Sequence, residues 1–94
     1  MHIWQLADKF KIYAVSFDAE WVVYHSGSGE THRLSFFSSH IFSLFWLEHL
    51  QLDIDQITVL LFKSLATQVN TDQIQLVLDN LLKLNLIEKY SGLD

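Results

Sequence analysis

The first third of the chain alternates apolar with small or polar side chains, whereas the remainder repeats its apolar side chains at helical spacing. Residues 13–17 alternate, residues 18–20 form a polar break, and residues 21–24 are a β-branched and aromatic run. Both patterns are typical of strands. The glycines of residues 26–29 predict a tight turn, because glycine takes the positive φ that hairpin turns require. Residues 31–35 are the predicted returning strand.

The hairpin around this turn has the same register whether its loop has two residues or four. In either case the opposed pairs are His25 with Glu30 and Val23 with His32. Alternation along each strand then separates two faces of the sheet. The more apolar set, which we predict to face the core, is Trp21, Val23 and Leu34. The opposite face carries Val22, Tyr24, Thr31 and Arg33.

Two predicted helices follow these strands. Residues 36–50 are apolar on more than one side, which exceeds what a single core contact requires. Asp53 is placed to cap a second helix, and Gln56 is placed to complete a capping box. The apolar stripe of this second helix is Ile57, Leu60, Leu61 and Leu65.

The third predicted helix has the clearest pattern. Its apolar side chains follow the i, i+3, i+4, i+7, i+8 spacing: Ile74, Val77, Leu78, Leu81 and Leu82. Asn70 or Thr71 is its cap, and Asn85 is expected to end it in a left-handed turn. Residues 86–90 either form a final strand or pack against the body. We therefore predict an α+β, winged-helix-like fold with a three-stranded antiparallel sheet followed by three helices, as one domain over residues 1–94.

Composition narrows the classes of protein that fit. The chain has no cysteine, which excludes disulfides and thiolate chemistry. Its net charge of −5 repels phosphate, so we expect no nucleic acid partner. Residues 36–50 are too short and too polar to span a bilayer, and residues 1–11 lack the pattern of a signal peptide. We expect a cytoplasmic protein without a membrane partner.

The residues that most often carry chemistry are not arranged for catalysis here. The five histidines fit no zinc spacing, so we expect no metal. His25 is interpreted as a cross-strand polar partner of Glu30, and His32 as a partly buried side chain satisfied by a neighbour. Ser28 lies in a turn without the setting of a hydrolase nucleophile. We predict a protein that is not an enzyme and has no cofactor.

Several short motifs resemble the PqqD-like peptide chaperones, also called recognition elements for ribosomally made, modified peptides. The segments WVVY at residues 21–24 and SGETHRL at residues 28–34 are similar to the branch associated with an HPr-kinase-related enzyme. LDIDQI at residues 52–57 resembles the capped second helix of the family. LLKLNLI at residues 81–87 resembles its closing segment, with Asn85 where the family commonly has glycine.

The resemblance implies that an extended leader peptide adds as a strand beside the returning strand, in a groove bordered by the third helix. Strand addition is physically sensible, because an exposed edge offers unpaired amides and carbonyls. The implied edge consists of Glu30, Thr31, His32, Arg33 and Leu34. The helix side consists of Leu76, Asn80 and Lys83, which lie opposite the apolar stripe.

Two of these side chains have ordinary alternative explanations. Leu76 either contacts a peptide side chain or is a single exposed leucine. Arg33 either pairs with an acidic leader residue or is a solvated strand charge. The implied function is a non-catalytic adaptor that presents a leader or substrate peptide to a partner modifying enzyme. The motif resemblance implies that this enzyme is related to HPr kinase.

Two other functions remain open, as does self-association. A winged-helix regulator of DNA is one alternative, although residues 72–83 carry two acids and one base. A structural subunit of a larger enzyme is the other. The apolar excess of the first helix, at Phe36, Phe42, Trp46 and Leu47, either packs internally or buries against a partner or a second copy as a homodimer.

Overall fold

The protein is described by a computed structural model that covers residues 2–7, 12–18, 20–48, 51–66 and 68–91. The elements in chain order are β1 (His2–Leu6), β2 (Ile12–Phe17), β3 (Glu20–His25), β4 (Glu30–Arg33), α1 (Phe36–Glu48), α2 (Ile54–Leu65), α3 (Thr71–Lys83) and β5 (Ile87–Ser91). Strands β2, β3 and β4 form one antiparallel sheet, and β1 pairs with β5 in a second. The predicted α+β class and the order of three strands followed by three helices are confirmed.

The register of the β3–β4 hairpin is the predicted one. Val23 lies opposite His32, and His25 lies opposite Glu30. The loop is the four-residue alternative, residues 26–29, closed by a 2.8 Å hydrogen bond from the Gly29 N–H to the His25 carbonyl. Gly29 has a φ of 75°, which a side chain would oppose.

The predicted inner face of this sheet does face the core. Val23 and Leu34 are buried, and Trp21 packs against the core with its ring edge toward Phe42, at a centroid distance of 6.0 Å. Ser39 in α1 joins the helix to the sheet, because its hydroxyl accepts from the Trp21 N–H and donates to the Leu34 carbonyl. The start of α1 is therefore held against β3.

The apolar excess of α1 is divided between the interior and the surface. The fully buried apolar side chains of this helix are Ile41, Phe42 and Phe45. Trp46 is partly buried and stacks on Phe42. Phe36 and Leu47 are exposed near opposite ends of the helix. Phe42 therefore packs internally, whereas Phe36 and Leu47 keep apolar surface in contact with solvent.

The ends of α2 and α3 follow the predicted capping signals. The Asp53 carboxylate accepts from the Gln56 N–H at 2.8 Å, and the Gln56 side chain accepts from the Asp53 N–H, which completes the capping box. Asn70, rather than Thr71, caps α3. Asn85 has a φ of 63°, as expected of a left-handed residue after a helix.

The second sheet joins the two ends of the described chain. β1 pairs with β5 from His2 opposite Ser91 to Leu6 opposite Ile87. Of the two alternatives for residues 86–90, the final strand is therefore the one that forms, and β1 is a strand that the sequence did not predict. Trp4 is buried, and its backbone exchanges hydrogen bonds of 2.8 and 2.9 Å with Leu52. β5 is thus paired with β1 and lies in a different sheet from β4.

None of the helices in the described ranges is long and apolar enough to cross a bilayer.

Candidate functional site

The three-stranded sheet has two edge strands, β2 and β4, on either side of β3. Within the described residues each of them pairs only with β3. An edge strand presents unpaired N–H and C=O groups on its outer side. The predicted peptide site lies on β4. The direction of each β4 backbone group therefore decides whether a peptide can form a hydrogen bond with it.

The outward groups of β4 belong to Thr31 and Arg33. The Leu34 N–H donates to the Trp21 carbonyl at 2.8 Å. Bonded and non-bonded pairs alternate along an antiparallel ladder, so Val23 and His32 form the next bonded pair. The intervening residues of β4 therefore direct their N–H and C=O away from β3. A guest strand would find its amide and carbonyl partners there.

Leu34 supports this edge from within the core. Its side chain is buried, its N–H bonds to Trp21, and its carbonyl accepts from the Ser39 hydroxyl at 3.2 Å. Both of its backbone groups are therefore engaged within the chain. Leu34 therefore anchors the end of β4, and the unpaired backbone groups of this edge belong to the residues before it.

The Arg33 side chain lies on the outer face of the sheet and pairs with Glu20. Its guanidinium is 3.0 Å from the Glu20 carboxylate, and the Arg33 side chain is 78% exposed. The two residues line a pocket of about 260 Å³ together with Phe17 and Val22. An exposed ion pair of this kind stabilises a fold by roughly 0 to 1 kcal/mol. An acidic group on a guest peptide could therefore displace Glu20 at little cost.

The two histidines of the hairpin have different surroundings. His25 is buried, and its Nδ1 accepts from the Ser28 N–H at 3.1 Å, so its ring supports the turn. His32 is partly buried, and its Nε2 has no hydrogen-bond partner among the described residues. The expectation that a neighbour satisfies His32 is wrong for this nitrogen. An unpaired buried polar atom costs about 1 to 3 kcal/mol.

The predicted helix residues Leu76, Asn80 and Lys83 are all exposed. Leu76 is 70% exposed and lies on the side of α3 opposite the fully buried Ile74 and Leu78. At 100° per residue, Leu76 and Lys83 point almost directly away from the core, and Asn80 lies toward one flank. Leu76 and Lys83 would therefore contact a guest only where it extends over the outer side of the helix.

The two flanks of α3 are better placed than its outer side to border a groove. Leu82, on one flank, lines a cavity of about 430 Å³ together with Ala7 and β5 residues. The other flank carries Val77 and Asn80 by helical spacing. Val77 is only partly buried, although its place in the apolar stripe had predicted a core residue. Sequence reasoning missed Val77 as a surface candidate, because the stripe pattern does not distinguish its centre from its margin.

A cavity larger than these two lies elsewhere in the described part of the chain. It has a volume of about 910 Å³ between α2 and the start of α3, and the exposed Val59 and Phe62 contribute apolar lining. No sequence signal singled out this region. Val59 and Phe62 lie outside the apolar stripe of α2 and are ordinary surface positions on that pattern.

No group of three or more His, Asp or Glu side chains in the described ranges is arranged to hold a metal ion.

Comparison with known proteins rests on the fold. Neither a scan of protein-family models nor a search of curated proteins found a match. Among solved structures, the chain is similar to one described as TbiB1 in complex with the TbiA(beta) leader peptide. The TM-score is 0.73 at 20% sequence identity, over 94% of this chain and 99% of that chain. This likeness establishes that the two chains share a fold.

Proposed function

We propose that this protein is a non-catalytic adaptor that holds a leader or substrate peptide by strand addition at β4 and presents it to a modifying enzyme. The observation that carries the proposal is the open edge of β4, where Thr31 and Arg33 direct their backbone groups outward. β5 pairs with β1 and therefore does not occupy this edge.

The structural neighbour supports the same function. TbiB1 was solved with a leader peptide, and the shared fold extends over nearly the full length of both chains. Strand addition needs an exposed edge and neighbouring side chains that select the guest. This chain has both features, since Glu30 and Arg33 bring one charge of each sign to the edge.

The proposed contacts fall into two groups. Thr31 and Arg33 supply backbone hydrogen bonds, with Glu30, His32 and Leu34 as the adjoining members of the edge. The helix side consists of Leu76, Asn80 and Lys83, together with Val77 on the flank that Asn80 shares. Asn80 is the proposed first contact, because it is both exposed and directed toward a flank.

The partner enzyme is proposed from the motif resemblance, which indicates an HPr-kinase-related protein. The adaptor itself needs no cofactor for strand addition. A role in binding DNA is disfavoured, because the exposed side of α3 carries Asp72 and Asp79 against the single cation Lys83.

The test is an NMR titration with a leader-like peptide encoded beside this protein. We expect the largest amide shifts at Thr31 and Arg33, with further shifts along α3. The variant Thr31→Pro removes one outward N–H without removing a bond to β3, so it should weaken peptide binding by about tenfold or more while the fold persists. Its matched control is Ala14→Pro, which makes the same change on the edge of β2.

Two results would contradict the proposal. Peptide shifts confined to α1 or to β2 would move the site away from β4. Equal peptide affinity of the wild type and Thr31→Pro would show that the outward N–H of this residue is not used. Retardation of short duplex DNA at physiological salt would instead favour a regulator.

A further inference from the structure

Within the described ranges, the second edge of the sheet, β2, lacks several of the features that usually protect an exposed strand. Edge strands are commonly shielded by Lys or other charges, by proline, by a bulge or by very short length. β2 has six residues, Ile12–Phe17, with no charge and no proline. The apolar side chains of β2 on the outer face of the sheet are strongly exposed: Tyr13 54%, Val15 59% and Phe17 68%.

The outward backbone groups of β2 follow from the pairing of β3. Since Val23 bonds toward β4, its neighbours Val22 and Tyr24 direct their backbone groups toward β2. Their partners Val15 and Tyr13 therefore bond to β3. The remaining residues of β2 direct their N–H and C=O groups to the open side, and these are Ile12, Ala14 and Ser16.

These open groups are arranged symmetrically about Ala14. In an antiparallel pair related by a two-fold axis at this position, Ala14 lies opposite Ala14 of a second copy, and Ile12 lies opposite Ser16. Every such pair is a bonded one and exchanges two hydrogen bonds. A two-fold axis at Val15 also matches the open groups, but it leaves Ile12 opposite Asp18, whose φ of 50° takes it out of the strand conformation. The axis at Ala14 therefore makes more hydrogen bonds.

The side chains on the outer face suit the same register. Tyr13 of one copy would lie beside Val15 of the other, a cross-strand pair of an aromatic and a β-branched residue that is favourable. Within each copy, Tyr13 already stacks on Tyr24 at a centroid distance of 6.1 Å. The paired sheets would therefore present one continuous apolar row in place of two short ones.

We propose that a second copy of this chain pairs antiparallel with β2, centred on Ala14, and so joins the two three-stranded sheets into one. Because β2 carries no charge, no like-charge pair meets across the two-fold axis. The net charge of −5 on each copy opposes association only at longer range, where salt screens it. Both β4 edges lie at the ends of the joined sheet, so the dimer keeps two free peptide edges.

The strength expected of this dimer is modest. A single strand pair is smaller than the about 800 Å² per partner of a standard stable interface. We therefore expect half-dimerisation at protein concentrations of about 10 μM to 1 mM. Self-association should depend on concentration and should not obstruct peptide binding.

The experiment is sedimentation equilibrium of the full chain across that concentration range, with the wild type and three variants. We expect the wild type and Thr31→Pro to dimerise alike. Ala14→Pro and Val15→Lys should remain monomeric, the first by removing an outward N–H and the second by placing like charges across the axis. Circular dichroism establishes whether each variant is folded, and Val15→Lys changes only an exposed side chain.

A cysteine test locates the interface. The chain has no cysteine, so Ala14→Cys introduces a single thiol. Directly opposed bonded residues have Cα atoms about 5.5 Å apart, within the range of a disulfide. We expect oxidised Ala14→Cys to form a covalent dimer and Thr31→Cys to remain monomeric under the same conditions.

Three outcomes would overturn the proposal. The first is a wild type that stays monomeric up to about 1 mM, a concentration at which even a weak interface is populated. The second is dimerisation of Ala14→Pro and Val15→Lys equal to that of the wild type. The third is cross-linking of Thr31→Cys in preference to Ala14→Cys, which would place self-association on β4. The peptide titration is a separate measurement, so loss of the dimer with retained peptide shifts leaves the proposed function standing.

Discussion

The two edges of the three-stranded sheet offer the same kind of unpaired backbone but differ in length and charge. β4 has four residues, two of them the charged Glu30 and Arg33, whereas β2 has six and no charge. Charged, short edges resist pairing with copies of themselves, and long apolar edges do not. The amides of the two edges are alike, so the side chains that flank them decide which strand each edge can accept.

The largest effect is expected where β4 is anchored to the core. Leu34→Ala removes a buried side chain and should lower the free energy of unfolding by about 2 to 5 kcal/mol. Leu76→Ala is the matched control, because the same change at an exposed site should alter it by less than about 0.5 kcal/mol. Urea denaturation measures both. Similar losses in the two variants would show that β4 is not held by Leu34.

Replacing the two hairpin histidines by leucine should have smaller effects on stability, and the effects should differ in sign. His32→Leu removes a buried nitrogen that has no hydrogen-bond partner among the described residues, so stability should be unchanged or higher by about 1 kcal/mol. His25→Leu removes the acceptor of the Ser28 N–H and should lower stability by about 1 kcal/mol. Thermal unfolding of both variants at neutral pH measures the difference. Destabilisation by His32→Leu would indicate an unrecognised partner for its ring.

The smallest effect concerns the ion pair beside β4. Glu20→Gln removes the partner of Arg33 and should change the free energy of unfolding by less than about 0.5 kcal/mol, because the pair is exposed. It also frees the guanidinium for an acidic group on a peptide. Isothermal titration should therefore show equal or tighter peptide binding. Weaker binding in this variant would mean that Glu20 itself contacts the guest.

Much of the fold could be predicted from local patterns. The hairpin register followed from a glycine turn and the two-residue period of strands, so it held although the loop length was open. The cap of α2 and the left-handed Asn85 followed from residue types with one favourable role. The second sheet was only half predicted, because β1 and β5 lie at opposite ends of the chain and no local pattern reports such a pairing.

The candidate site was predicted less completely than the fold. The sequence indicated residues 30–34 as an edge. Which of them direct their backbone groups outward depends on which β3–β4 pairs are hydrogen-bonded, and only the structure shows that. It placed Leu76 and Asn80 together on the polar side of α3. The difference between the outer side and the flank of a helix has meaning only once neighbouring elements are in place.

Residues close together in the chain set the strand and helix periods, the turn, the caps, the inward side of the hairpin and the absence of charge on β2. The tertiary structure was needed to show that β5 pairs with β1, that both β2 and β4 lie at the edges of their sheet, and that His32 Nε2 has no hydrogen-bond partner among the described residues. Those features depend on contacts between distant segments, where burial and hydrogen-bond pairing are settled by the whole core rather than by any local pattern.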